Sequence, residues 1–134
     1  YALGSALFAA LTAVFGKLGV AGIPSNLATF IRTAVVLGVT AAIIAWRSEW
    51  RVPGGIEARS WLFLVLSGLA TGLSWLCYYR ALQLGPVSKV APIDKLSVAL
   101  AIVLGVVFLG ESLSWPVAIG GGLIVLGSIV MLVF

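Results

Sequence analysis

Five stretches of about twenty residues, nearly free of charge, follow one another through this chain: roughly 2–20, 27–46, 61–82, 87–109 and 114–134. A helix needs about 20 mostly apolar residues to cross a hydrocarbon layer of about 30 Å, so each run has the length of one crossing. In lipid, backbone N–H and C=O groups must be satisfied inside the protein, which leaves helices and closed barrels as spanning structures. Barrel strands need alternating segments of about ten residues, and none is present. Residues are 62% apolar and 9% charged, against about 45–50% and 25% in a soluble domain. Eight basic and four acidic side chains cannot clothe a water-facing surface of this size. A soluble domain and a disordered tail are excluded. The net charge of +4 sits inside or beside apolar runs rather than in a solvated patch, so no nucleic-acid partner is expected. Cys77 stands alone and histidine is absent, so no disulfide, redox pair, metal site or cofactor is expected. The expected fold is an all-α integral membrane protein, a single five-helix module over residues 1–134.

Turn chemistry fills the breaks. Gly22-Ile23-Pro24-Ser25-Asn26 separates the first two runs, with Ser25 or Asn26 the expected N-cap of the second helix. The longest break, Arg47 to Ser60, holds Val52-Pro53-Gly54-Gly55; Gly85-Pro86 divides the third run from the fourth, and Pro116 restarts the fifth. Tyr1 is not an initiator Met, so further residues are expected before it, and the first run is too long for a cleaved signal peptide. An odd number of crossings puts the two ends of the chain on opposite sides, here A (N-terminal) and B (C-terminal). Tyr1, Trp46, Trp50, Trp61 and Trp115 then fall near side A as an aromatic belt. Arg47, Arg51 and Arg59 near side A are matched by Lys17, Arg80 and Lys89 near side B. Orientation is weakly specified.

Charge depth carries the functional information. Arg32 lies about 8 Å into the second helix from side B, and Asp94 and Lys95 about 11 Å into the fourth, at about 1.5 Å per residue. Charges in a bilayer cost on the order of 2.5–3.5 kcal/mol each and by default mark function. Arg32 and Asp94, at similar depth, have the reach for an ion pair, and Arg32 equally suits a substrate contact. Lys17, Arg80 and Lys89 suit interfacial anchoring, and Glu111 an exposed helix end. Ala91, Asp94, Ser97 or Val98, Ala101 and Gly105 form one small, partly polar face; Ser67, Thr71, Ser74 and Tyr78 form another, with Trp75 beside it. A third comprises Ser5, Phe8, Thr12 and Gly16. Together they outline a polar pathway entered from side B, although small and hydroxyl residues equally serve close helix packing. Gly68 with Gly72, the Gly120-Gly121-Gly122 run and Gly127 read as packing glycines, and Trp75, Tyr78 and Tyr79 as either a stacking surface or aromatic core.

Tyr79-Arg80-Ala81-Leu82-Gln83-Leu84-Gly85-Pro86-Val87, Phe108-Leu109-Gly110-Glu111-Ser112-Leu113-Ser114 and the Gly-rich stretch from Ile119 to Gly127 resemble an EamA-type module of the drug/metabolite transporter superfamily. Arg32 matches the arginine common in the second helix of such modules. The resemblance implies a transporter of small molecules in a bacterial cytoplasmic (inner) membrane, with no enzymatic activity. Most relatives fuse two inverted modules, whereas one is present here; many carry a proline near Ser97, where this chain has Pro92-Ile93-Asp94-Lys95 instead. The related small multidrug-resistance proteins use a first-helix glutamate, and the first run here has no carboxylate.

The reading that follows is a secondary transporter of a small polar or amphiphilic metabolite. Asp94 is the expected coupling group, with Lys95 and Arg32 governing its proton exchange or holding an anionic substrate group. Ser97, Trp75, Tyr78, Thr71 and Ser74 are the further substrate-lining candidates. A lone module has half a pathway wall, so an antiparallel homodimer in membrane lipid is expected, with Gly105, Gly110, Ala118 and Gly122 at the contact. A flippase for lipid-linked sugars and a non-transporting scaffold are the alternatives.

Overall fold

Proline and glycine divide the chain where the apolar runs predict division. The computed structural model describes residues 1–51 and 54–133. Its helices are α1 (Ala2–Gly19), α2 (Ser25–Trp46), α3 (Ala58–Leu84), α4 (Val87–Asp94), α5 (Leu96–Leu109) and α6 (Trp115–Val133). Because α4 and α5 together make one span, Val87–Leu109, five segments have the length and hydropathy of membrane crossings. Every predicted run falls on one of them. Val52 and Pro53 of the predicted long break, and Phe134 at the end of the fifth run, lie outside the described residues.

Pro24 and Pro86 stand at the N-cap positions of α2 and α4 in extended backbone, φ −59° and ψ 135° for the first, φ −72° and ψ 147° for the second. Ala28 and Val90 each donate to the proline carbonyl at 3.1 Å. The expected cap by Ser25 or Asn26 is therefore corrected: α2 begins at Ser25 and has no side-chain cap. An N-cap needs extended backbone and no helical N–H bond, which proline satisfies without strain. At the other end of α5, Gly110 adopts φ +69° and turns the chain back, so that the Glu111 N–H meets the Gly105 carbonyl at 3.2 Å.

The helices gather into two compact units, residues 1–14 with 84–134, and residues 15–83. In the first, α6 runs against both α4 and α5. Gly121 lets Ile102 approach so closely that an added Cβ would sit 3.1 Å from its Cδ1. In the second, the end of α1 meets α3 at Gly16, where an added Cβ would lie 3.3 Å from both Leu82 Cδ1 and Tyr79 Oη. Val20, Ala28, Tyr79 and the fully enclosed Leu82 are its buried apolar residues. The remaining Leu, Val, Ile and Phe side chains largely face outward, as lipid-facing surfaces do. Thr29, Thr33, Thr40 and Thr71 each donate to the carbonyl four residues earlier, at 2.8–2.9 Å. A hydroxyl in an apolar span thus finds its partner on its own helix.

Candidate functional site

The fourth span is interrupted at its polar residues. Pro92 has no N–H for the Ser88 carbonyl and crowds the preceding turn, and two residues later regular α-helix ends. The Lys95 N–H then bonds the Pro92 carbonyl and the Val98 N–H the Lys95 carbonyl, both at 3.0 Å and both one residue short of α-helical spacing. Side chains repair the backbone. Ser128 of α6, 4% exposed, donates its hydroxyl to the Pro92 carbonyl at 2.9 Å, and Ser97 donates to the Asp94 carbonyl at 2.6 Å. Non-regular backbone at membrane depth persists only where such partners exist.

Asp94 and Lys95 occupy this break. Neighbouring residues on a regular helix do not face one another, yet here Lys95 Nζ reaches Asp94 Oδ2 at 3.4 Å, with the side chains 54% and 36% exposed. The ion partner of Asp94 is therefore its sequence neighbour. A pair this long and this accessible is loosely held, and its carboxylate and ammonium can exchange partners with a ligand or water.

A second cluster lies in the other unit. The Arg32 guanidinium is 3.6 Å from the Trp75 ring centroid and 5.4 Å from that of Tyr79. Tyr78 meets Tyr79 edge-on at 6.3 Å. Stacking occupies the flat face of the guanidinium and leaves its rim of N–H donors for an anionic or carbonyl partner. Trp75 of the substrate-lining candidates thus holds a cation, and Tyr78 borders the same cluster.

The other expected residues divide. Thr71 spends its hydroxyl on Ser67 within α3, and Ser74 is exposed beside Trp75 on that helix. Lys17 donates to the Leu82 carbonyl in the last turn of α3, where a cation complements the helix dipole. Arg80 is bonded through Nη1 to Gln83 Oε1 at 3.0 Å, and Lys89 is exposed. Glu111 does more than end a helix: its carboxylate folds back over Gly105, and a Cβ there would stand 2.8 Å from Oε2. That overturns Gly105 as an open contact surface, because its own chain covers it. Added Cβ atoms at Gly68, Gly72, Gly120, Gly122 and Gly127 would meet nothing within 4 Å, so these glycines are not packing positions within the described chain; Gly16, Gly105 and Gly121 are. Ser128 and Gln83 were not singled out from the sequence. Ser128 is the only hydroxyl residue in α6, and a lone hydroxyl in an apolar span has to donate somewhere, which was the available signal.

Comparison with known proteins agrees with this architecture. The model of the EamA-like transporter family matches residues 1–133. An uncharacterized transporter in the cobO 3′ region of Sinorhizobium sp. is 54% identical over 134 residues, covering 100% of this chain and 95% of that protein. No solved structure matches the chain. A polar break in one apolar span, five spans among the described residues, and a family match over nearly every residue lead to one conclusion: the chain belongs to the EamA-like transporter family and is a single EamA module of the drug/metabolite transporter superfamily.

Proposed function

We propose that the protein is a secondary transporter that moves a small polar or amphiphilic metabolite across the membrane by alternating access, as an antiparallel homodimer, with proton coupling or exchange as its driving force. The interrupted fourth span carries this reading. Two charges and a proline in a span cost stability if the span only anchors, whereas broken helices at the substrate level are what transporters use to expose backbone and polar groups to cargo. Asp94 is the group assigned to bind the coupling proton or cation. Lys95, its loosely held partner, takes the substrate's anionic group when Asp94 is neutralised. Arg32, fixed on Trp75, offers a second donor rim, with Tyr78, Ser74, Thr71 and Ser97 lining the route.

A lone five-helix module supplies half of an inverted-repeat pathway, and a second copy inserted the opposite way supplies the rest. The open glycines of α6, above all Gly122, are the surfaces on which two copies approach closely. Thermal-shift screening of purified protein against a metabolite library, followed by liposome flux with each hit, tests the function. A transporter gives at least one stabilising metabolite that crosses the bilayer faster than in empty liposomes. Stabilisers that never cross, or no stabiliser and free replacement of Asp94 and Lys95 by a neutral pair, would assign the chain to scaffolding.

A further inference from the structure

Arg32 stands about two turns into α2, within the second span. The start of that helix and the end of α3 lie side by side, since Gln83 Nε2 donates to the Ile23 carbonyl at 2.6 Å. The Arg32 guanidinium is 3.6 Å from the Trp75 ring centroid and 5.4 Å from that of Tyr79. Tyr79 is one turn nearer the end of α3, so the charge rests on the ring farther from that end. An arginine that only anchors a span extends its charged head toward the membrane surface. Arg32 is held farther in.

Its own unit supplies no counter-charge. The carboxylates between residues 15 and 83 are Glu49 and Glu57, which follow α2 and precede α3, at the opposite ends of both helices. Glu49 is already paired with Arg47 at 2.8 Å. Among the described residues the Arg32 guanidinium makes its two ring contacts and no hydrogen bond or ion pair. No side-chain nitrogen among them is both buried and without a partner, so the unused N–H groups of Arg32 are open to an incoming group. A guanidinium, unlike an amine, does not escape the cost of an apolar setting by losing its proton. The missing anion has to come from outside.

We propose that Arg32, oriented by Trp75, is a subsite for a carboxylate group, and that the transported molecule is an organic acid. Stacking leaves the planar rim of the guanidinium free, and its fork of N–H donors matches the two oxygens of a carboxylate. A phosphate calls for more donors, and the cations toward the end of α3 are engaged: Lys17 with the Leu82 carbonyl and Arg80 with Gln83. Trp75 and Tyr78, both half-buried, offer aromatic surface to the less polar remainder of the acid. That the acid is cargo rests on the transporter reading above; that it binds at Arg32 does not.

The test is thermal unfolding of the purified protein in detergent, titrated with acetate, benzoate and succinate. Each acid is compared with its neutral amide, with chloride making up the ionic strength to remove general screening. At least one carboxylate should stabilise saturably where its amide does not. Arg32→Gln should weaken that binding about tenfold or more. Arg32→Lys keeps the charge and loses the fork, so it should weaken binding in the same direction and carries the test if the glutamine variant fails to fold. Arg80→Gln should leave binding unchanged. Acids that behave as their amides do overturn the proposal. Stabilisation that survives the Arg32 substitutions, or that is lost with Arg80, does so as well. Liposome flux separates this site from transport. Carboxylates that bind through Arg32 and never cross leave the site standing and sink the transporter reading; a metabolite without an acid group that crosses, with no carboxylate bound, does the reverse.

Discussion

Single side chains in this protein are constrained most where glycine admits a neighbour. The two tightest cases predict opposite outcomes. At Gly16 an added methyl meets Leu82 Cδ1 and Tyr79 Oη at 3.3 Å, and Leu82 is fully buried with nowhere to move. Gly16→Ala should therefore destabilise by about 1–3 kcal/mol, as overpacking does. At Gly105 the methyl meets the Glu111 carboxylate at 2.8 Å, the far end of a flexible and exposed side chain. Gly105→Ala should change stability by less than about 1 kcal/mol while displacing that carboxylate. Urea or thermal unfolding of the two variants side by side checks the contrast; equal losses would contradict it. Arg32 makes a third case, since its contact is a stacked plane at 3.6 Å that lysine cannot reproduce. Arg32→Lys should lower stability by about 1 kcal/mol, and in a Trp75→Leu background the same substitution should cost nearly nothing. A full cost in both backgrounds would show that Arg32 acts elsewhere.

The elements were legible in the sequence to the extent that lipid solvation dictates them. Runs of about twenty apolar residues have one structural solution in a bilayer, and Gly85-Pro86 and Pro24 leave little choice about where helices stop and start. What sequence spacing missed depends on contacts between elements. Ala91, Asp94 and Gly105 share a face only on an unbroken helix, and the turn at Lys95 interrupts that register. Ser128 is 36 residues from the Pro92 carbonyl it bonds, so no local pattern announces the pair. The Glu111 return onto Gly105 needs the positive φ of Gly110, which spacing hints at without giving the direction of the side chain. The Asp94–Lys95 cluster was found from charge depth alone, because an intramembrane charge is conspicuous whatever surrounds it. The break in the fourth span yields its own prediction. Pro92→Ala restores an N–H for the Ser88 carbonyl and should raise the melting temperature while lowering transport. Ser128→Ala should lower stability by about 0.6 kcal/mol, the average for interhelical hydrogen bonds in membranes, and by no more than about 1.7 kcal/mol. A Pro92→Ala protein of unchanged activity would mean that the break has no part in transport.

The whole molecule is one module of a transporter family, and the proposed second copy is inserted the other way. Gly54 lies in the long loop between α2 and α3, and a cysteine placed there in a Cys77→Ser background reports which side that loop faces. Labelling from both faces of the membrane is expected; reactivity from one face alone would leave the dimer parallel or absent. The claim on which the mechanism turns is narrower, and it concerns Asp94. Removing half of a structural ion pair strands a buried charge and typically destabilises by about 3–5 kcal/mol, whereas the exposed, 3.4 Å pair with Lys95 should be dispensable to the fold. Flux driven by a pH gradient in liposomes containing the Asp94→Asn variant separates these readings in one measurement. The expected result is a well-expressed, monodisperse protein that still binds its metabolite and accumulates none of it. Full pH-driven uptake by that variant would contradict it.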